Sequence, residues 1–378
     1  MRIAFYAPLK APTHPVPSGD RLIGRLIVRA LRAGGHAVEV VSTLRAFDRG
    51  DAERQARLAR LGAATARRVA RRLSSTPPDL WLTYHLYHKA PDWLGPPVSR
   101  ALGIPYVAVE ASVAPKQADG PWALGHRAVC EALAGAAAVI AINRVDVPAV
   151  AALLGDPSRV HYVPPFMDLA ALAPPASVAQ ARAAIASRLA LPVEVPWLVT
   201  VAMMRPGNKL DSYRVLAAAL GRLTDTAWQM LVVGDGVRRG EVEAAFADAG
   251  IADRVHFLGL LDHAAVAAHV GVSDLFVWPA VAEPLGMAML EAAALGVAVV
   301  AGASGGVPDI VRDAETGVLC PPGDVEAFAG AVRALLADPG RRRELGAAAQ
   351  VRAHARHDLA AGGRALDGIL REVVARWR

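Results

Sequence analysis

The sequence predicts an α/β protein with a parallel sheet in each of two doubly wound, Rossmann-like domains that face each other across a cleft. Short apolar runs rich in Val and Ile alternate with longer segments of helical periodicity along all 378 residues. This alternation is typical of parallel sheets whose two faces are covered by helices. The alternation breaks once, in the proline-rich segment 163–180, which has the composition of a linker. The length also suits two domains better than one. We therefore expect domains at 1–170 and 171–355, with a last helical segment, 356–378, that returns to the first domain.

Ten strands are predicted, five in each half. Each is a run of six or seven residues in which apolar, mostly β-branched or aromatic, side chains predominate, the pattern of a buried strand. In the first half they are RIAFYA (2–7), HAVEVVS (36–42), DLWLTY (79–84), PYVAVE (105–110) and AAVIAI (137–142). In the second half they are WLVTVAM (197–203), WQMLVVG (228–234), RVHFLG (254–259), DLFVWP (274–279) and VAVVAG (297–302).

Helical periodicity marks the segments between the strands, including 210–222, 238–250 and 284–295. Crossovers between neighbouring parallel strands are right-handed. Ligands of such sheets bind beyond the carboxyl ends of the strands. Binding residues are therefore expected in the loops that follow the strands.

The composition excludes several classes of protein. Hydrophobic residues make up 54% and charged residues 20% of the chain, so a globular core is easily formed and disorder is not expected. The two cysteines, Cys130 and Cys320, are too few for a disulfide framework and favour a reducing compartment. The first apolar run is too short for a secretory signal, and no stretch reaches the ~18 apolar residues of a spanning helix. We expect a cytoplasmic protein that can reach the inner face of the membrane.

Positive charge is concentrated in the first half, where residues 1–170 carry 21 Lys and Arg against 13 Asp and Glu. Much of it lies in the helical segment 54–73, where seven arginines accompany Leu58, Leu61 and Leu73. This segment is either a solvated helix face or a basic amphipathic helix that rests on an anionic membrane or an acidic acceptor. Nucleic acid is not an expected partner, because no aromatic or zinc-type recognition module accompanies it.

A basic pair, Arg205 and Lys209, follows the strand 197–203, and Pro206 and Gly207 make the intervening chain a turn. A planar guanidinium and a flexible ammonium four residues apart suit a diphosphate, because Arg binds two oxygens in its plane and Lys acts as a point charge. The other interpretation is a pair of surface charges in a βα loop.

Two glutamates, Glu283 and Glu291, flank the start of the segment 284–295. Pro284 suits the first position of a helix and Gly296 the position past its end. Glu283 should then precede the helix, with Glu291 about 12 Å further along its axis.

Free amide groups at the start of that helix, near Gly286 and Met287, would favour an anion or hydroxyl oxygens. A carboxylate accepts hydrogen bonds from vicinal hydroxyls. Two carboxylates at this separation could hold two polyol rings joined by a diphosphate, which is the shape of a nucleotide sugar. In the alternative interpretation, Glu283 is a capping acid and Glu291 a half-exposed helix residue.

Other ligand-binding motifs are weak or missing. No G-x-G-x-x-G follows the first strand, which disfavours a dinucleotide dehydrogenase. The chain has no Asp-x-Asp pair to hold a metal with a nucleotide diphosphate, and no G-x-S-x-G nucleophile elbow. Gly19, in PSGDR (17–21), is expected to let the backbone approach a phosphate at a helix N-terminus.

The segment EPLGMAMLEAAALGVAVVAGASGGVPDIV (283–311), followed by ETGVLCPPGDVEAFAGAVRALLADP (315–339), resembles retaining glycosyltransferases of the family 4 type, also called glycosyl transferases group 1, which have the two-domain GT-B fold. The resemblance covers the C-terminal half well and the N-terminal half loosely. The family motif of two glutamates separated by seven residues is met by Glu283 and Glu291. The small-residue turns of the family are also in place, at Gly305–Gly306 and Thr316–Gly317.

The resemblance implies a role for each matching residue. Glu283 would hold hydroxyls of the donor sugar and Glu291 the donor ribose, while Arg205 and Lys209 would bind the diphosphate. The remaining donor contacts would come from Gly286, Met287 and Ala288 at the helix start, from Leu260 in the loop that meets the base, and from Gly19.

The sequence departs from the family pattern in three places. The basic pair is spaced by four residues instead of five or six, and the usual Gly-Gly of the N-terminal loop is Gly19-Asp20. Many members carry a histidine after the fourth strand of the first domain, and Glu110 stands near that place here. His126 and His85 are the histidines that could approach the reaction centre instead. The favoured interpretation of either is a histidine with a structural role.

By resemblance, the reaction is transfer of a hexose from a nucleotide-diphosphate sugar to an acceptor hydroxyl with retention of configuration. The donor is a co-substrate, with a UDP-sugar slightly favoured over a GDP-sugar, and no cofactor is expected. The basic pair and the helix N-terminus would stabilise the charge that develops on the diphosphate, which makes a metal ion unnecessary. The departing phosphate could serve as the base for the acceptor.

Two further functions are compatible with these residues: a nucleotide-sugar epimerase of the same fold, and a non-catalytic module that binds nucleotide sugars. The acceptor of a transferase is expected to be a glycan or a lipid-linked molecule, as in glycolipid or polysaccharide biosynthesis. It should bind to the first domain, which carries the arginine-rich segment and the aromatic loop YHLYHKAPDW (84–93).

Overall fold

The chain forms two compact units in the computed structural model, which describes residues 1–16, 18–172 and 177–378. The first unit comprises Met1–Met167 and Leu359–Arg378, and the second comprises Asp168–Asp358. The boundary lies in the proline-rich segment 163–180, of which Pro174 and Pro175 fall outside the described residues. Each unit carries a sheet of six parallel strands within the described ranges.

The first sheet has the strand order β2-β1-β3-β4-β5-β6, and all of its neighbouring pairs are parallel. Its strands are β1 (Arg2–Tyr6), β2 (Ala37–Val40), β3 (Leu80–Leu86), β4 (Tyr106–Ala111), β5 (Ala138–Ala141) and β6 (Val160–Tyr162). The helices of this unit are α1 (Gly19–Ala33), α2 (Ala52–Leu73), α3 (Gly95–Leu102), α4 (Ala123–Ala134), α5 (Val147–Leu154) and the C-terminal α14 (Leu359–Trp377).

The second sheet has the order β12-β11-β10-β7-β8-β9, again with parallel pairs throughout. Its strands are β7 (Trp197–Val201), β8 (Gln229–Val233), β9 (Val255–Gly259), β10 (Leu275–Trp278), β11 (Val299–Gly302) and β12 (Gly317–Cys320). Its helices are α6 (Val178–Leu189), α7 (Asn208–Leu220), α8 (Arg239–Asp248), α9 (His263–Gly271), α10 (Met287–Ala294), α11 (Val307–Ile310), α12 (Val325–Ala337) and α13 (Pro339–Arg356).

Each sheet has a point where the order of its strands reverses. In the first unit this point lies between β1 and β3, and in the second between β7 and β10. The connections there leave to opposite faces and open a crevice at the carboxyl ends of the strands, where ligands of such sheets bind. A ligand-binding site is therefore expected in the loops after these four strands.

The predicted two-domain Rossmann-like fold is confirmed, and all ten predicted strands form. Two strands were not predicted, β6 and β12. Both are edge strands of three or four residues, too short for their alternation to stand out from the flanking loops.

One helix starts later than its sequence indicates. Pro284 does not begin α10; the helix begins at Met287, and Gly286 occupies the N-cap position with φ of 75°. Only glycine adopts this left-handed conformation at little cost, so the chain turns into the helix at Gly286 and the residues before it are free to pack elsewhere. The predicted end holds, because Gly296 is left-handed and follows the last turn.

The C-terminal helix α14 packs against α1 within the first unit. Its Gly363 lies so close to the carbonyl oxygen of Ala30 that an added Cβ would be 3.1 Å from it. Asp367 reaches His36 at 2.8 Å, and the indole of Trp377 donates a hydrogen bond to the carbonyl of Gly103 at 2.9 Å. These contacts fix the end of the chain to the first sheet and its helices.

Candidate active site

Lys209 and Glu283 meet at the reversal point of the second sheet. Lys209 lies in the first turn of α7, which follows β7, and Glu283 lies in the loop between β10 and α10. The Nζ of Lys209 donates to Oε2 of Glu283 at 2.5 Å. The lysine side chain is 33% exposed and that of the glutamate 15%, so a partly desolvated ion pair stands where a ligand is expected.

Trp278, the last residue of β10, contacts both members of the Lys209–Glu283 pair. Its indole Nε1 donates to the same Oε2 at 3.1 Å, and the Lys209 ammonium lies 5.1 Å from its ring centroid. The edge of Tyr213 packs on that ring at 5.0 Å between centroids. Both donors use Oε2, so in the described part of the chain Oε1 of Glu283 has no partner and can accept a ligand hydroxyl.

The main chain around Glu283 is held by the small-residue turn that follows β11. The amide of Glu283 donates to Oγ of Ser304 at 2.9 Å, and the Ser304 hydroxyl donates to the carbonyl of Ala280. Gly305 has φ of 53°, and a Cβ on it would lie 1.9 Å from the Glu283 carbonyl oxygen. Ala280 is also left-handed, with φ of 46°. Strained backbone of this kind concentrates at functional sites.

Helix α10 offers amide groups beside the ion pair. Gly286 at its N-cap has no side chain to cap the helix, and its carbonyl already accepts from Met289 and Leu290. The amides of Met287 and Ala288 have no acceptor among the residues that the structure describes. Such amides, at the positive end of the helix dipole, favour phosphate or hydroxyl oxygens.

Glu291 projects from the middle of α10 and is half-buried. Burial raises the pKa of its carboxyl group to about 7. No hydrogen-bond or ion-pair partner for it is present within the described ranges. A carboxyl group buried without a partner is costly unless a ligand supplies one, which argues against the interpretation of Glu291 as an ordinary helix residue.

Arg205 is exposed in the loop after β7, and its guanidinium has no carboxylate within ion-pair distance in the part of the chain that the structure describes. Two apolar side chains stand at the same edge of the sheet: Leu260, after β9, is 70% exposed, and Val237, after β8, is 87% exposed. A flat apolar ligand group would cover them.

Gly19 and Asp20 begin helix α1 at the reversal point of the first sheet. Ser18 caps the helix by accepting from the amide of Arg21 at 3.3 Å, and a Cβ on Gly19 would meet nothing within 4 Å. Oδ1 of Asp20 lies 3.0 Å from Nδ1 of His85, at the end of β3. The start of α1 therefore carries a carboxylate close to an imidazole, and a side chain added at Gly19 would meet no neighbouring atom.

The two residues proposed for the first domain, Glu110 and His126, lie in different surroundings. Glu110 sits in β4 with φ of 56°, and burial, opposed by the charge of His85, raises the pKa of its carboxyl group. His126 is on α4, where its Nε2 lies 3.6 Å from Sγ of Cys130. Of the two histidines, His85 lies beside Glu110, because the β3–β4 ladder pairs Tyr84 with Val109 and Leu86 with Ala111.

Sequence reasoning missed Trp278 and Ser304. A tryptophan at the carboxyl end of a buried strand needs an acceptor for its indole N–H, and Glu283 is the first acid that follows Trp278 in the chain, so the pair could have been found. Ser304 gave no comparable indication, because its role depends on the turn after β11 lying against the loop after β10.

None of the described helices is long and apolar enough to cross a membrane. No group of three or more His, Cys, Asp or Glu side chains converges among the described residues as around a metal ion.

Known proteins resemble this chain in sequence and in fold. Residues 189–352 match the family model of glycosyl transferases group 1. The D-inositol 3-phosphate glycosyltransferase of Xylanimonas cellulosilytica is 34% identical over 226 residues, which are 58% of this chain and 53% of that protein. The GDP-mannose-dependent alpha-(1-6)-phosphatidylinositol monomannoside mannosyltransferase of Mycolicibacterium smegmatis is 33% identical over 215 residues, or 55% of each chain. The matched regions thus span about half the length of these relatives.

The fold has solved counterparts over the whole chain. The structure of Anabaena HepE in complex with UDP superposes with a TM-score of 0.77 at 18% identity, covering 98% of this chain and all of that one. At this identity the likeness concerns the fold. In fold the chain is a two-domain GT-B protein, and its second unit matches the glycosyl transferases group 1 family over residues 189–352.

Proposed function

We propose that the protein is a retaining glycosyltransferase that moves a hexose from a nucleotide-diphosphate sugar to an acceptor hydroxyl. The observation that carries this proposal is the contact of Lys209 and Trp278 with a single oxygen of Glu283, at the reversal point of the second sheet. A carboxylate with one oxygen occupied and the other available, next to a cation, suits a sugar hydroxyl beside a phosphate. The family match covers all three residues.

The diphosphate would lie between the basic pair and the start of α10. Lys209 has three N–H donors, of which one is on Glu283, so two remain for phosphate oxygens. Arg205 has no competing carboxylate in the described residues and can move onto the same group. The amides of Met287 and Ala288 add uncharged donors. This positive set supports transfer without a metal ion.

The two glutamates would hold the ends of the donor. Oε1 of Glu283 accepts hydroxyls of the hexose, and Glu291, in the middle of α10, accepts hydroxyls of the ribose. The base would cover the apolar side chains of Leu260 and Val237. The donor then extends along the carboxyl edge of β7–β10.

Transfer breaks the bond between the anomeric carbon and the diphosphate and forms one to the acceptor oxygen. Negative charge develops on the departing diphosphate, where Lys209, Arg205 and the helix amides stabilise it; such stabilisation is often the largest catalytic contribution. Retention follows if the acceptor attacks from the side of the leaving group, whose phosphate oxygen then takes the hydroxyl proton.

The names of the relatives narrow the substrates to be tried. One relative is named for inositol 3-phosphate and another for GDP-mannose and a phosphatidylinositol mannoside, while the structural counterpart holds UDP. We propose a glycan or lipid-linked polyol acceptor, within glycolipid or polysaccharide biosynthesis, and a UDP-sugar donor ahead of a GDP-sugar. The comparisons do not favour the epimerase or the non-catalytic module.

Helix α2 supports contact with an anionic membrane. Five of its exposed arginines have no carboxylate partner within the described ranges: Arg57, Arg60, Arg67, Arg68 and Arg71. Leu61, on the same helix, is 48% exposed. A basic helix with exposed apolar residues binds anionic lipid through electrostatic attraction and through burial of its apolar side chains.

A panel of UDP-, GDP- and ADP-sugars tests the proposal. The true donor should raise the thermal midpoint, since it binds only the folded state, and should be converted into a glycoside with a suitable acceptor. The anomeric proton of the product in an NMR spectrum reports retention or inversion. A product that is only the epimerised donor would establish the epimerase, and binding without any turnover would establish the non-catalytic module.

A further inference from the structure

A groove lies on the helical flank of the first unit, between α2, α3 and α4. Its first part is a cavity of about 480 Å³ that these three helices enclose. A second cavity of about 330 Å³ adjoins it and ends at Trp377 of α14. Because the two cavities share Pro96, Arg100, Glu131 and Ala132, they form one groove, which we call the α3 groove.

The α3 groove is separate from the crevice at the carboxyl ends of the first sheet. Trp93, in the first cavity, lies against the middle of α2, where a Cβ added to Gly62 would be 2.2 Å from the Cβ of Trp93. In the second cavity, the indole of Trp377 donates to the carbonyl of Gly103, just before β4 begins. The groove therefore follows α3 toward the amino edge of the sheet.

Unpaired positive charge lines the α3 groove. Arg67 and Arg71 of α2 and Arg100 of α3 are exposed along it, and none of the three has a carboxylate partner among the described residues. Two acids line the same cavity. Asp92 has both oxygens occupied by hydrogen bonds within the protein, and Glu131 is exposed. The groove thus offers free guanidinium groups to an anionic ligand.

Two polar groups in the lining of the α3 groove are buried without partners. Oγ of Ser99, a residue that is 4% exposed, and Nε1 of Trp93 have no hydrogen-bond partner in the described part of the chain. Buried polar atoms are normally paired, so an occupant with hydrogen-bonding groups is expected. The indole rings of Trp93 and Trp377 add flat apolar surface, against which the face of a ring-shaped ligand packs.

The charges in the middle of the α3 groove favour a saccharide over an acyl chain. Arg100 and Glu131 stand where the two cavities meet. A hydrocarbon chain would desolvate both side chains without replacing their hydrogen bonds, which is costly. The hydroxyl and acidic groups of a saccharide can pair with both.

We propose that the α3 groove binds an acidic oligosaccharide, with sugar rings against Trp93 and Trp377 and acidic groups on Arg67, Arg71 and Arg100. The inference goes beyond the proposed sugar transfer, because this site is additional to those for the donor and the acceptor hydroxyl. Its use would be to hold the enzyme on a glycan chain between transfers.

Calorimetric titration without any donor tests the site. The acidic probes are tetragalacturonate and a hyaluronan tetrasaccharide, and neutral maltotetraose is the control ligand. The acidic probes should bind about tenfold or more tightly than maltotetraose, and high salt should weaken them, because the arginines are exposed. The indole N–H resonance that is missing from the NMR spectrum of Trp93→Phe should shift when an acidic probe binds.

Variants of one helix separate the groove from general attraction to a basic surface. Arg67→Gln/Arg71→Gln should weaken binding of the acidic probes about tenfold or more. Arg57→Gln/Arg68→Gln removes the same charge from α2 outside the lining of the groove and should bind them within about twofold of the parent. Ser99→Ala should weaken binding roughly threefold without lowering the thermal midpoint, because its hydroxyl has no partner to lose.

Three results would overturn the inference. Equal losses in the two arginine pairs would reduce it to general attraction to α2, and failure of both acidic probes to bind the parent would leave the groove without a glycan. Tighter binding of monomeric dihexanoyl phosphatidylglycerol than of either acidic probe, lost in Arg67→Gln/Arg71→Gln, would make the groove a lipid site. Nucleotide-sugar binding by the parent, measured separately, reports on the proposed function alone.

Discussion

Nζ of Lys209 and Oε2 of Glu283 lie 2.5 Å apart, although 74 residues separate them in the chain. The contact joins the first turn of α7, which follows β7, to the loop after β10. These segments are neighbours because β7 and β10 are adjacent strands, between which the strand order reverses. Trp278 donates to the same oxygen, so the carboxylate stays oriented when the lysine engages a phosphate.

Lys209→Ala should nearly abolish sugar transfer and leave the fold intact. Removing one group that stabilises developing charge costs about 3 kcal/mol, or roughly a hundredfold in kcat, while Trp278 still holds Glu283. Steady-state kinetics with the donor that the nucleotide-sugar panel identifies, alongside circular dichroism, makes the measurement. Arg214→Ala removes a cation from the exposed face of the same helix and should retain parental kinetics. A near-parental kcat for Lys209→Ala would show that the diphosphate lies elsewhere.

Arg205→Ala should weaken binding of nucleoside diphosphates more than that of nucleoside monophosphates. Its guanidinium is exposed and has no carboxylate partner among the described residues, so its removal should change the free energy of unfolding by no more than ~0.5 kcal/mol. Calorimetric titration with UDP and UMP, or GDP and GMP, gives the ratio of affinities. If the ratio stays as in the parent, Arg205 does not contact the second phosphate.

Glu291→Gln should stabilise the ligand-free protein at pH 8 and have little effect at pH 5. The folded-state pKa of about 7 lies above that of the unfolded chain, so the ionised carboxyl group disfavours folding. The penalty is absent below the unfolded pKa, grows as pH rises, and is complete above the folded pKa, where it is on the order of 2–3 kcal/mol. Urea unfolding at the two pH values measures it.

The same variant separates ribose from sugar recognition. If Glu291 holds the ribose, Glu291→Gln and Glu291→Ala should weaken free nucleotide and nucleotide sugar by similar factors, as titration calorimetry can show. A change confined to the nucleotide sugar would contradict the ribose role.

Gly305→Ala should destabilise the second unit and impair transfer. The new Cβ would lie 1.9 Å from the carbonyl oxygen of Glu283 at a residue with φ of 53°, so the Glu283 loop must move. A cost of about 2 kcal/mol or more is expected. Gly330→Ala is the control: it lies within α12 with nothing within 4 Å of a Cβ and should stabilise the protein by roughly 0.5–1 kcal/mol. Equal stability of both variants would mean that the turn after β11 does not support Glu283.

Arginines of α2 should govern binding to anionic membranes. Replacing Arg67, Arg68 and Arg71 by Gln should reduce co-sedimentation with vesicles that contain anionic lipid, by about 1 kcal/mol for each charge near the surface. High salt should have the same effect on the parent, because the charges are exposed. If vesicle binding depended neither on lipid charge nor on salt concentration, α2 would be an ordinary solvated helix.

The elements that repeat along the chain could be predicted from the sequence. Local periodicity predicts buried strands such as 197–203 and helices such as α10. The spacing of Glu283 and Glu291 is a local property as well. The short edge strands β6 and β12 were not predicted. The start of α10 was predicted at Pro284 instead of Met287, because the left-handed turn at Gly286 is decided by packing of the preceding loop.

The sequence by itself determined the two Rossmann-like halves, the pair Glu283 and Glu291, and the basic pair Arg205 and Lys209, since all of these depend on residues close together in the chain. Only the tertiary structure decided that Lys209 and Trp278 share one oxygen of Glu283, and that His85 rather than His126 lies beside Glu110 in the sheet. Those contacts depend on which strands are neighbours in a sheet, and strand order is set by long-range packing that no local pattern contains.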